Sequence, residues 1–268
     1  MRKTIFNIVI YFIPFLIFSC NNHKDEHQQT FTPENAKETL KNAIRQYPDS
    51  LSLVQNLIEL YRNEGSYDSA LFLTDNQIKK DSGNAYLWNM KATLHFENED
   101  TVDAIKSMEH AINIYPLPEY IVALGTIYAE VKNPKSLMIA DDLLKTNRVK
   151  SGKDAMFIKG LYYSYNNDKR KAINYFDSSL QMDFTYMFSY REKAIALYDL
   201  GKYQEALVVL KRAVTIQNDF DEGYYWLGKC YEKLGRKDDA VQSYQTALLY
   251  DKDYIEAREA LDKIQKEK

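Results

Sequence analysis

Cysteine is nearly missing from this chain of 268 residues, which has only Cys20 and Cys230. Two cysteines make no disulfide framework, and one of them, Cys20, has another expected use, described below. Glycine and proline are scarce as well, at 9 and 6. A chain so poor in turn formers favours helix over sheet, and 45% hydrophobic residues suffice for a large core. The short patterns that carry chemistry are absent too: there is no G-x-S-x-G, no P-loop, no H-E-x-x-H and no C-x-x-C. The formal charge is −3, with no basic block, so nothing here is built for nucleic acid.

Ile5 to Phe18 is an almost continuous apolar run behind Arg2 and Lys3. This is the layout of a secretory signal. The run includes Asn7 and Pro14 and falls short of the roughly 20 apolar residues that a membrane-spanning helix needs. Its end, Ile17-Phe18-Ser19-Cys20, resembles the lipobox of bacterial lipoproteins. The resemblance implies cleavage after residue 19 and lipid on Cys20, several acyl chains on one residue being enough for stable anchoring. Cleavage removes Arg2 and Lys3 and no acid, taking the formal charge from −3 to −5. Lys24-Asp25-Glu26 is similar to a signal that some Gram-negative lipoproteins use to reach the cell surface. The expected location is therefore the bacterial envelope, lipid-anchored at the outer membrane, with surface exposure open. Residues 20–32 read as the lipidated cysteine and a polar tether, with a reach of about 20 Å.

After the tether a period appears. Ala36, Ala70, Ala104, Ala172, Ala206 and Ala240 are separated by 34, 34, 68, 34 and 34 residues, with Leu137 filling the middle of the long gap. Leu40, Met108, Phe176, Leu210 and Tyr244 recur four residues later, and Ala43, Ala111, Ala213 and Ala247 seven later. Spacings of 3, 4 and 7 mark one helical face. Polar breaks such as Asn63-Glu64-Gly65, Asn166-Asn167-Asp168 and Leu234-Gly235-Arg236 split each period into two helices. Each unit is thus a helical hairpin.

The pattern W-x2-L-G-x2-Y followed by A-x3-F-x2-A resembles the tetratricopeptide repeat (TPR). It is carried by Tyr224, Leu227, Gly228, Tyr231, Ala240, Tyr244 and Ala247, and by Trp88, Ala92, Ala104, Met108, Ala111 and Pro116. The resemblance implies an all-α TPR-type solenoid, a right-handed superhelix of hairpins. Its expected parts are a half-repeat helix over 33–50, six repeats over 51–253 starting near Leu51, Ala85, Pro118, Lys153, Met187 and Asp221, and a capping helix over 254–268. The unit 118–152 departs most, with Leu137 in the small-residue slot and Asp141 where an aromatic is usual. Small residues at Ala92, Gly125, Gly160, Ala194 and Gly228 are expected where the two helices of a pair cross.

No converging acid, base or nucleophile emerges, and no cofactor or metal is expected. His23 and His27 lie in the tether, His95 fills a recurring tyrosine slot, and His95 with His110 lacks a third zinc ligand. Binding is the better expectation. In TPR arrays the first helices line a concave groove, and carried over by position its residues here include Tyr86, Asn89, Phe96, Phe157, Arg191, Tyr198, Tyr225 and Lys229. Such a set suits an extended peptide or protein segment. Packing within the superhelix is an alternative role for Phe157. The lysine clamp by which some TPR modules hold the acidic C-termini of chaperones is absent, with Gln55, Asn89 and Val122 at the lysine place. The sequence therefore reads as a non-enzymatic, lipid-anchored adaptor or scaffold with a protein or peptide partner. A self-associating structural subunit and, drawing on the 22 tyrosines, a cell-wall or glycan-binding accessory protein stand as alternatives.

Overall fold

The structure, a computed structural model, describes residues 33–266. The signal segment, Cys20, Lys24-Asp25-Glu26 and the tether with its two histidines lie outside the described residues. Within them all regular structure is helical. The elements are α1 (Pro33–Gln46), α2 (Leu51–Asn63), α3 (Tyr67–Lys80), α4 (Ala85–Glu97), α5 (Thr101–Ile114), α6 (Pro118–Glu130), α7 (Lys135–Tyr165), α8 (Lys169–Met182), α9 (Met187–Asp199), α10 (Tyr203–Ile216), α11 (Asp221–Lys233), α12 (Lys237–Tyr250) and α13 (Ile255–Lys266). They form two compact units that meet in the sequence at Tyr120 and Ile121, inside α6. Among the described residues no helix is long and apolar enough to cross a membrane.

The hairpin turns explain why the helices stop where they do. Six residues have positive φ at recurring places: Gly65, Glu99, Lys132, Asn167, Gly201 and Gly235. After each, the next N–H closes back on the helix: Ser66 donates to the Tyr61 carbonyl at 2.8 Å, Asp168 to Tyr163 at 2.9 Å and Arg236 to Tyr231 at 2.9 Å. This is the Schellman arrangement, which satisfies carbonyls that a helix end leaves open. Aspartate starts two of the second helices, Asp100 accepting from the Asp103 N–H and Asp168 from the Lys171 N–H.

Packing follows the sequence period. In the first unit α1 packs on α2, α2 on α3, α3 on α4 and α4 on α5. In the second, α7 to α13 pack in order, and α7, α9 and α11 also touch one another in succession. The recurring alanines Ala70, Ala104, Ala172, Ala206 and Ala240 are fully buried. Val54, Ile58, Ala70 and Leu94 centre the first core; Leu207, Leu210, Leu227 and Tyr244 centre the largest cluster of the second. At the crossings, bulky rings fill the space over small residues. A Cβ on Gly160 would lie 2.4 Å from the Phe176 ring, and one on Gly228 2.4 Å from the Tyr244 ring. The C-terminal α13 lies on α12, burying Ala257 and Ile264.

The segment 118–152 differs from its expected phase. Leu137 does not hold the small-residue slot: Ser136, Ala140 and Leu143 form the buried face of α7 there, one residue earlier. One residue is about 100° of helix rotation. The chain differs locally at this turn: Pro134 precedes α7, Asn133 accepts the Lys135 N–H, and the helix starts three residues after the left-handed Lys132, where the other second helices start two residues after theirs. Asp141 is accordingly exposed rather than in an aromatic slot. No loop separates this segment from the next repeat. Instead α7 kinks at Asn147 (φ −156, ψ 82), whose side chain caps the second arm by accepting the Lys150 N–H at 3.1 Å.

Candidate functional site on the first helices

The eight residues expected to face a partner divide by burial and by unit. Tyr86, Asn89 and Phe96 are on α4 in the first unit; Phe157, Arg191, Tyr198, Tyr225 and Lys229 are on α7, α9 and α11 in the second. Tyr86 is exposed, while Asn89, Tyr198, Tyr225 and Lys229 are half-buried and keep a solvent-facing part. The other three do not. Phe157 is 1%, Arg191 4% and Phe96 7% exposed.

Phe96 belongs to the buried set of α4 with Leu87, Ala92 and Leu94, and the other two burials have specific partners. Phe157 lies among Phe176, Tyr186 and Phe188, with ring centroids 6.0, 5.5 and 6.1 Å away, in the offset and edge-on geometries that aromatic rings prefer. It is a core residue, not a ligand contact. Arg191 is enclosed by carboxylates: its Nε donates to Glu192 at 3.0 Å and its Nη1 to Glu222 of the neighbouring α11 at 2.6 Å. Burial alone would lower its pKa, but Glu222 and Glu192 outweigh that and raise it. Glu192 is pushed up by burial, with Arg191 opposing. Arg191 therefore ties α9 to α11 through an internal ion pair. Arg62 does the same between α2 and α4, its Nε donating to Glu97 at 2.7 Å.

Around the solvent-facing residues the chemistry is aromatic and acidic. The Tyr225 ring lies 5.6 Å from Trp226 and 5.1 Å from Tyr254, and Tyr198 lies 5.5 Å from Trp226. Burial raises the Tyr225 phenol, and the carboxylates of Glu256, Glu232 and Glu259 raise it further. Burial likewise pushes Tyr198 up to about 12. Both rings are neutral donors at any physiological pH. Lys229 stands 4.0 Å from Glu232, whose carboxylate also accepts from the Tyr244 hydroxyl at 2.6 Å.

Sequence reasoning missed a set of ion pairs that recur with the repeat. Lys91 meets Asp75 at 2.7 Å, Lys159 meets Asp141 at 2.6 Å and Lys193 meets Asp177 at 2.5 Å. A signal was present: the lysines are 68 and 34 residues apart, each with an aspartate 16 or 18 residues before it.

Among the described residues one group has metal-ligand chemistry. The donor atoms of His95, Asp100 and Asp103 lie within 4.8 Å of one another. His95 Nδ1 is 3.3 Å from Asp100, while Lys106 already meets Asp103 at 2.7 Å and supplies a cation there. His110 packs at a tilt against Trp88, with ring centroids 4.0 Å apart, instead of joining His95. Cys230 is fully buried, and burial pushes its thiol up to about 12, where it is not a nucleophile.

Comparison with known proteins agrees with this architecture. Residues 154–186 and 221–254 match models described as tetratricopeptide repeat, and residues 195–235 one described as TPR repeat. DnaJ homolog subfamily C member 7 of Mus musculus is 28% identical over 118 residues, 44% of this chain and 24% of that protein. Superkiller complex protein 3 of Homo sapiens is 26% identical over 200 residues, 71% of this chain and 13% of that protein. The chain thus spans a quarter or less of the length of these curated relatives. Among solved structures, a tetratricopeptide repeat protein from Parabacteroides merdae is 19% identical with a TM-score of 0.65, covering 87% of this chain and 92% of that one. A thermophilic TPR protein of Thermus thermophilus is 16% identical with a TM-score of 0.57, covering 68% and 98%. With no strand among the described residues and hairpins packed in sequence within each unit, the fold is that of an all-α, TPR-type solenoid.

Proposed function

We propose that this protein is a lipid-anchored TPR adaptor of the bacterial cell envelope, holding a protein or peptide partner against the first helices of its hairpins. The observation that carries this reading is the solvent-facing aromatic and amide set left on those helices after the core is accounted for: Tyr86 and Asn89 on α4, and Tyr198, Tyr225 and Lys229 on α9 and α11. Rigid rings with hydrogen-bonding tips give a partner apolar contact and direction together. The Tyr198 and Tyr225 rings are held by neighbouring rings, so little ordering of them is needed on binding. The anchor rests on the lipobox-like Ile17-Phe18-Ser19-Cys20.

Two comparisons test the two halves of the reading. Crosslinking in intact cells followed by pull-down should enrich a second protein with the wild type and lose it with Asn89→Ala/Tyr225→Ala/Lys229→Ala. Recovery of the same proteins by both versions overturns the partner surface. Separately, Cys20→Ser should release the protein from the membrane fraction; its retention there removes the lipid anchor.

A further inference from the structure

The first unit has a cleft that the partner-binding surface does not use. It opens between α1 and α3 over α2 and has a volume of about 880 Å³, within the range of small-molecule sites. Its apolar lining includes Ile44 from α1, Leu57 from α2, and Phe72 and Leu73 from α3. Phe72 is 65% exposed, an unusual place for a phenylalanine on a helix whose other large side chains have partners in the core.

The polar lining is one-sided. Lys41, Arg45 and Lys80 reach the cleft, against a single carboxylate, Asp68. The two signs are also separated along the cleft. Asp68 is in the first turn of α3, while Lys80 is in its last turn and donates to the Pro48 carbonyl just beyond α1, close to the end that carries Arg45. Arg45 is only 3.9 Å from the exposed Glu38 and donates to Asn42, so no carboxylate inside the cleft neutralises it. Lysine and arginine in last turns also complement helix ends. That role accounts for Arg45 and Lys80, but neither for Lys41 in the middle of α1 nor for the phenylalanine left in solvent beside them.

An elongated apolar floor with Arg45 and Lys80 at one end and Lys41 one helical turn in from it, opposite the end that carries Asp68, is complementary to a molecule that is apolar along its length and anionic at one tip. We propose that this cleft binds a long-chain amphiphile with a single anionic head group, of the fatty-acid type. The chain lies along Ile44, Leu73 and Phe72, and the head sits among Lys41, Arg45 and Lys80. This site shares no residue with the proposed partner contacts on α4 of the first unit or on α9 and α11 of the second.

The test uses the full chain, a photoreactive palmitic acid carrying a diazirine, and adduct mapping by peptide mass spectrometry. Mapping separates cleft binding from adsorption elsewhere on the chain. Adducts are expected on peptides within 41–80, suppressed by excess palmitate but not by uncharged hexadecanol or by acetate. Lys41→Gln/Arg45→Gln/Lys80→Gln and, separately, Phe72→Ala should each reduce adducts on those peptides by about fivefold or more. Both variants change solvent-exposed or half-buried side chains, and an unchanged helical circular dichroism spectrum verifies that each folds. Adducts confined to other peptides, equal competition by hexadecanol, or labelling unchanged in either variant overturns the proposal.

Discussion

Lys193 Nζ lies 2.5 Å from Asp177 Oδ1 and joins the first helix of one repeat to the second helix of the repeat before it. Lys159 and Asp141 make the same link one repeat earlier in the second unit, and Lys91 with Asp75 makes it in the first. These pairs bridge hairpins, the interfaces on which repeat stability depends. Their contribution is limited by water, since the Lys193 and Asp177 side chains are 19% and 42% exposed. A double-mutant cycle with Lys193→Met and Asp177→Asn, read by urea unfolding, should give a coupling of about 0.2–1 kcal/mol. A coupling well above that range would mean that the pair is effectively desolvated in solution.

The hairpin turns make a second prediction of opposite sign at two equivalent places. Gly201 has φ 73 and open space where a Cβ would stand, so alanine there meets no neighbour but must adopt a left-handed backbone. Gly201→Ala should cost about 1–2 kcal/mol. Lys132 occupies the same turn position at φ 59 without being glycine. Lys132→Gly should therefore stabilise, by about 0.5–1 kcal/mol after the extra chain entropy of glycine is offset. Thermal unfolding of both variants checks the pair; a loss of stability in Lys132→Gly would count against left-handed strain at this turn.

The fold was legible in the sequence because each repeat needs the same small residue at the same crossing. Ala70, Ala104, Ala172, Ala206 and Ala240 are all fully buried, in the phase that the 34-residue period assigns. The period did not extend to the first arm of α7, where the turn around Pro134 and Asn133 differs from the other hairpins and the buried face is rotated by one residue. The candidate site was less legible than the fold. Position in the repeat places Phe157, Arg191 and Tyr225 alike on first helices, but exposure depends on what the neighbouring helix presents. Phe188 and Tyr186 cover Phe157, and Glu222 meets Arg191, whereas Tyr225 keeps a solvent-facing edge. Those pairings are contacts between repeats, which a pattern within one repeat does not encode.

The close approach at Gly228 gives a third prediction. An added Cβ would come within 2.4 Å of the Tyr244 ring, which is fully buried and held by its hydrogen bond to Glu232. The ring cannot retreat without breaking that bond. Gly228→Ala should cost about 1–3 kcal/mol through overpacking. In the background Tyr244→Leu, which removes the ring edge, the same substitution should cost less. Equal costs in both backgrounds, measured by chemical unfolding, would show that the ring is not what makes glycine necessary here.

Acid should weaken the second unit in a window set by Asp183. The Lys153 ammonium, 2.6 Å away, lowers its pKa from the ordinary value to about 2, and the Thr185 hydroxyl, donating at 2.6 Å, adds to this. A carboxylate with a lowered folded-state pKa stabilises above its unfolded value near 3.8, and that stability is lost as pH falls toward 2. Both side chains are about a third exposed or less, so after solvent screening the effect is about 1 kcal/mol or less. Lys153 also opposes the burial that raises Asp154, so its removal lifts both carboxyl pKa values in the same direction. The wild type should therefore exceed Lys153→Met in stability at pH 6, and the gap should shrink steadily between about pH 4 and pH 2. Urea unfolding at several pH values across that window provides the measurement. A gap that stays constant down to pH 2 would assign the role of Lys153 to packing of its aliphatic stem beneath Tyr186, whose ring centroid is 5.1 Å from the ammonium, and not to charge.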